Sequence, residues 1–91
     1  MKSNIPDVSI IITNYNYGKY VSRAIRSCLS QKHCDVEVVV VDDASTDESS
    51  KSLATFKDDI NLIINEKNVG VAESSNIGIR AAKGQFVMRV D

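Results

Sequence analysis

The hydrophobic positions of this chain fall into short unbroken runs that alternate with stretches of helical period. Val8-Ser9-Ile10-Ile11-Ile12 and Val38-Val39-Val40-Val41 are rich in β-branched residues, the pattern of strands covered on both faces. Strands are predicted over residues 8–13 and 36–42, and two more over 60–64 and 86–90. Between the first two, residues 18–31 carry Tyr20, Val21, Ala24, Ile25, Cys28 and Leu29 at the spacing of an amphipathic helix. Ser45-Thr46-Asp47-Glu48 matches the S-x-x-E capping box and predicts a helix from there to Phe56 or Lys57. Asn68-Val69-Gly70 predicts a turn, followed by a helix over 71–83 that Gly84 would cap. The order βαβαβαβ predicts an α/β fold, a mainly parallel four-stranded sheet with helices on both faces and right-handed crossovers.

Two of these strands end in polar clusters. The Val38–Val41 run meets Asp42-Asp43, and the first run meets Thr13-Asn14-Tyr15-Asn16. Ligands of parallel sheets bind just beyond the carboxyl ends of the strands, so both clusters are predicted to border one pocket. A nucleobase needs a stacking surface and a few directed hydrogen bonds, which Tyr15 on one side and Thr13 and Asp43 on the other could supply. Asp42 has a stronger structural reading, because an acid after a strand commonly satisfies nearby loop amides. Thr13 and Tyr15 could likewise be strand-end residues packed under a loop. Asp91 follows the last predicted strand and could bind a divalent cation carrying a diphosphate, since Mg2+ and Mn2+ prefer oxygen ligands.

Composition narrows the function classes. The chain has 91 residues, enough for one small domain, with 43% hydrophobic and 25% charged residues, ordinary values for a globular protein. Eleven basic and twelve acidic residues give a net charge of −1, with no basic block, which excludes nucleic-acid binding through an electrostatic footprint. No apolar stretch reaches the length of a membrane span, and the first residues lack the apolar core of a signal peptide, so the expected location is cytoplasmic. Cys28 and Cys34, with His33 beside the second, do not match a zinc spacing and are expected to be structural. The glycines form neither G-x-G-x-x-G nor a P-loop, and G-x-S-x-G is absent, which disfavours a dinucleotide site, an NTPase and a hydrolase triad. A phospho-receiver domain is disfavoured too, because the acid pair follows the second strand rather than the first.

Taken together, these motifs resemble the opening of an inverting family 2 glycosyltransferase with the GT-A fold. The resemblance runs from Val8 to Asp91. It is carried by Val-Ser-Ile-Ile-Ile-Thr-Asn-Tyr-Asn at 8–16, Leu29-Ser30-Gln31 in the first helix, and Val-Asp-Asp-Ala-Ser-Thr-Asp at 41–47. Asn68-Val69-Gly70, Asn76-Ile77-Gly78 and the Ala82–Val87 lead toward a metal-binding D-x-D complete it. The resemblance implies that Thr13, Tyr15 and Asp43 contact the base or ribose of a nucleotide-diphosphate sugar, a UDP-sugar first among them, with Asp42 in support. It implies that Asp91 is the first carboxylate of the D-x-D that holds Mg2+ or Mn2+. One departure stands out: the position before Asn76, often Arg in this family, is Ser75, so a basic contact to the donor is expected to be missing.

The expected unit is a partial nucleotide-sugar-binding domain over 1–91, with no catalytic residue of its own and with the acceptor-binding half absent. It would act in polysaccharide or glycan synthesis, on a glycan or lipid-linked acceptor, at the inner face of the membrane in the full-length enzyme. The alternative is a non-catalytic nucleotide-binding or assembly module of the same fold. Apolar surface left uncovered without the later half would favour a homo-oligomer.

Overall fold

The computed structural model describes residues 5–31 and 33–90. Its elements are β1 (Val8–Asn14), α1 (Gly18–Leu29), β2 (Val36–Asp42), α2 (Ser49–Ala54), β3 (Asn61–Ile64), α3 (Val71–Ala81) and β4 (Phe86–Val90). All strand pairs are parallel, in the order β3-β2-β1-β4. The chain steps from β1 to β2 to β3 in one direction and then crosses back to β4 on the far side of β1. Right-handed crossovers put helices of opposite stepping direction on opposite faces. Accordingly α1 and α2 cover one face, over Ile10, Ile12, Val38 and Val40, and α3 covers the other, over Ile11, Val39 and Val41. Val38 through Val41 are each at most 1% exposed, which is why the valine run is unbroken rather than alternating.

The edge strand β4 is different. Phe86, Val87 and Met88 are exposed, so its apolar run is not covered on both faces among the described residues. What fixes β4 to the sheet at its amino end is a polar latch. The buried Ser9 hydroxyl donates to Glu37 Oε1 (2.6 Å) and accepts from the Gly84 amide (2.8 Å), and the Lys83 amide donates to the same Glu37 oxygen (2.9 Å).

Three local expectations are corrected. The S-x-x-E segment does not cap a helix: α2 begins later, at Ser49, and the Ser45 hydroxyl is taken up by Asp42 Oδ1 (2.7 Å). Asp47 does the capping instead, accepting from the Ser49 amide (2.9 Å). The helix also stops at Ala54, and Phe56 enters the core from a tight turn in which its amide donates to the Leu53 carbonyl. Finally, Gly84 is not the cap of α3, which ends at Ala81 with an extended Ala82. Gly84 is glycine because a Cβ there would lie 2.6 Å from the Ser9 amide nitrogen.

Candidate nucleotide-binding cleft

Side chains alternate faces along a strand, so the two adjacent acids part company. Asp42 pairs with Asn14 in the β1–β2 register, and both turn toward α1 and α2. There Asn14 Nδ2 donates to Asp42 Oδ1 (2.8 Å) and Ser49 Oγ (2.9 Å), and the Ser45 amide donates to Asp42 Oδ2 (3.0 Å). Asp42 is a buried structural anchor. Among the described residues, Asn14 Oδ1 is the buried side-chain atom without a hydrogen-bond partner.

Asp43 turns to the α3 face. Its Oδ1 accepts from Asn65 Nδ2 (3.0 Å) and the Val69 amide (2.8 Å), and its Oδ2 accepts from the Gly70 amide (2.9 Å). Gly70 sits at φ +94°, a conformation that places this amide while starting α3 at the next residue. Burial pushes the Asp43 carboxyl up, but hydrogen bonds from Asn65, Val69, Gly70 and Ser74 outweigh it and hold the pKa below the usual value. Asp47 is lowered as well, first by the Ser49 hydroxyl, against some desolvation, and then by the Gly18 and Ser49 amides. Both carboxylates therefore stabilise the fold fully above the unfolded aspartate pKa of about 3.9, and that contribution is lost as pH falls through their lower folded values. The urea midpoint should be flat from pH 7 to 5 and fall below about pH 4. Asp43→Asn should flatten that acid limb when the midpoint is followed by circular dichroism.

Between the end of β1 and the start of α3 lies a cleft of about 280 Å³, lined by residues that include Thr13, Tyr15, Asp43, Asn68, Gly70 and Ser74. Three of the residues expected at the site, Thr13, Tyr15 and Asp43, thus meet in one place, and Tyr15 offers a ring that is 45% exposed. Asp42 does not line it, and Asp91 lies outside the described residues. Asn68 and Gly70 come from a segment that the sequence marked as a turn and as part of the family resemblance but not as site residues, and no sequence signal picked out Ser74. A second cleft of about 370 Å³ opens on the α1 face between Tyr17, Tyr20, Ala24 and Val90, and shares Thr13, Asn14 and Tyr17 with the first.

Two left-handed residues shape the rim. Asn16, at φ +57°, accepts the Thr46 (2.7 Å) and Asp47 (3.2 Å) amides on its side-chain oxygen, locking the loop after β1 to the loop after β2. Asparagine tolerates this conformation, but Ala44 at φ +61° has no such compensation. Ala44→Gly should therefore stabilise the protein by about 0.5–1 kcal/mol, seen as a melting temperature about 5 °C higher.

Among the described residues no group of three or more His, Cys, Asp or Glu side chains could hold a metal ion. Cys28 is buried, with its thiol pKa raised by desolvation, Cys34 is exposed, and neither is in a disulfide. No helix among the described residues is long and apolar enough to cross a membrane.

The sequence profile of Glycosyl transferase family 2 matches residues 9–91. The chain belongs to this family. It is 43% identical over 88 residues to an uncharacterized glycosyltransferase of Nostoc sp., covering 92% of this chain and 27% of that protein. It is 39% identical to the succinoglycan biosynthesis protein ExoO of Rhizobium meliloti, covering 96% of this chain and 25% of ExoO. Its fold superposes on S. aureus TarS in complex with UDP-GlcNAc with a TM-score of 0.81 at 33% identity, over 93% of this chain and 26% of that one. The mannosyltransferase PcManGT of Pyrobaculum calidifontis, solved with GDP-Man and Mn2+, is similar at a TM-score of 0.81 and 26% identity, over 93% of this chain and 27% of that one. This family 2 chain spans about a quarter of the length of the relatives it matches.

Proposed function

We propose that these residues form the donor-binding region of a glycosyltransferase and that the α3-face cleft takes a nucleotide-diphosphate sugar. The observation that carries this reading is the meeting of Thr13, Tyr15 and Asp43 in one cleft at the carboxyl ends of β1 and β2. In this reading the Tyr15 ring stacks on the base. The Thr13 hydroxyl and Asp43 Oδ2, which accepts one backbone amide and has capacity for a further donor, bind base or ribose. Asp42 acts at one remove, by fixing the loop after β2 against Asn14.

TarS with UDP-GlcNAc supports a UDP-sugar, and PcManGT with GDP-Man keeps a GDP-sugar open as the second choice. A Mg2+ or Mn2+ ion held by Asp91 would offset the charge of the departing diphosphate. The acceptor hydroxyl attacks the anomeric carbon in line, with a base drawn from outside these 91 residues. The likeness to the succinoglycan biosynthesis protein ExoO supports a role in polysaccharide synthesis. In this reading the acceptor is a glycan or a lipid-linked glycan. The two free cysteines suit a reducing cytoplasm, with a lipid-linked acceptor placing the work at the inner membrane face.

Thermal unfolding with UDP or GDP plus Mn2+ tests the donor site. Ligand at ten times its dissociation constant should raise the melting temperature by roughly 5 °C or more. No shift with either nucleotide at millimolar concentration would overturn the assignment.

A further inference from the structure

Residues 8–34 contain no aspartate or glutamate, and the basic residues among them form no run in sequence. The helical period gathers three of them. In α1, Lys19, Arg23 and Arg26 fall within about 60° of one another around the axis, opposite the buried Val21, Ile25 and Cys28. All three are exposed. Tyr20 and Leu29 flank this stripe at about 90° to either side and are 62% and 37% exposed.

These charges are not cancelled within the fold. Among the described residues the ion pair joins Arg80 to Glu73 on α3, and Lys19 and Arg23 have no acidic partner. The Arg26 guanidinium lies 5.6 Å from the centroid of the Phe56 ring, a contact that orients the group and leaves its charge in place. Asp47, at the amino end of α1, is given to the Gly18 and Ser49 amides. Glu48 and Lys51, at the start of the neighbouring α2, carry opposite charges. The outward face of α1 is therefore cationic over three turns, with an aromatic ring and a leucine at its margins.

We propose that the outward face of α1 docks on a bilayer surface rich in anionic phospholipid. Charge complementarity selects an anionic surface. Tyr20 and Leu29 select lipid over a soluble polyanion, because an aromatic ring and an aliphatic chain partition at headgroup level. The basic stripe and the apolar margins are the two signals that peripheral membrane binding combines. The two faces of the sheet then divide the work. Helices α1 and α3 cover opposite faces, so a bilayer under α1 leaves the α3-face cleft open to a water-soluble nucleotide sugar. This surface rests on the inner-membrane reading above and is independent of the donor cleft.

The test is cosedimentation of the chain with vesicles of phosphatidylcholine alone, or with about one-third phosphatidylglycerol, in about 50 mM salt. The chain should bind the anionic vesicles only, and release them at about 0.5 M salt. Each basic residue near such a surface is worth about fivefold in partitioning, so Lys19→Gln with Arg23→Gln should weaken binding about thirtyfold. Tyr20→Ser should weaken it severalfold with no change in charge. Arg80→Gln with Lys83→Gln removes as much charge from the carboxyl end of α3 and the residues just after it, and should stay within about twofold of the wild type. If the two charge pairs weaken binding equally, net charge governs it, and the α1 surface is overturned while the membrane reading stands. If heparin binds as tightly as the vesicles and Tyr20→Ser changes nothing, α1 is a general polyanion surface and the lipid assignment is overturned. If the wild type binds neither vesicle while UDP or GDP still raises its melting temperature, the membrane reading falls with α1 and the donor site stands.

Discussion

Asp43→Ala should destabilise the protein by about 3 kcal/mol and lower its melting temperature by about 15 °C. The substitution strands three donors at once: the Asn65 side-chain amide and the Val69 and Gly70 backbone amides. The three donors are part-buried beside the cleft, so water replaces the carboxylate only in part and about 1 kcal/mol is lost for each. The same loss frees the segment between β3 and α3, which forms one wall of the cleft. Nucleotide affinity should therefore fall at least about tenfold even at temperatures where the variant stays folded. Asp42→Asn is the contrast. It disturbs the Asn14–Ser45 anchor on the other face and touches the donor site only through the loop after β2, so it should cost about 1 kcal/mol of stability and weaken nucleotide binding by no more than about threefold. Urea unfolding and nucleotide titration of both variants separate the two acids.

Gly84→Ala should be comparably damaging, by about 3 kcal/mol, for a packing reason. The added methyl would stand 2.6 Å from the Ser9 nitrogen, 2.7 Å from its hydroxyl and 2.8 Å from the Val8 carbonyl carbon. Two of these atoms are sheet backbone and cannot move without opening the β1–β4 register. The latch through Ser9 and Glu37 would part with it, loosening β4. Gly78→Ala should be damaging too, because its methyl would meet Ile11 Cγ2 at 2.5 Å and Val41 Cγ2 at 3.2 Å, both on fully buried β-branched side chains that cannot turn aside. A Gly84→Ala melting temperature equal to that of the wild type would contradict this account of Gly84.

The fold was legible because the burial was. An unbroken valine run has few uses other than a strand covered on both sides, and alternation with helical periods then fixes a parallel sheet. Two of the three errors share one cause. Ser45 and Gly84 both carry good local signals for helix ends, yet each is claimed by a distant partner, Ser45 by the Asn14–Asp42 anchor and Gly84 by Ser9. Tertiary contacts outweighed local capping preference at both. The cleft was partly legible: Thr13, Tyr15 and Asp43 mark the strand ends, where open α/β sheets place their ligands. The division of Asp42 from Asp43 was also within reach, since adjacent strand residues face opposite ways. Ser74 was not, because its place in the cleft wall depends on where α3 docks.

The central claim is that a nucleotide-diphosphate sugar binds on the α3 face. Amide chemical-shift mapping by NMR, with UDP and GDP each titrated into the labelled chain, tests it most directly. The account predicts that saturable shifts centre on Thr13, Tyr15 and the Asn68–Ser74 segment. Shifts centred instead on Tyr20, Val21 and Ala24, or none at millimolar nucleotide, would contradict it.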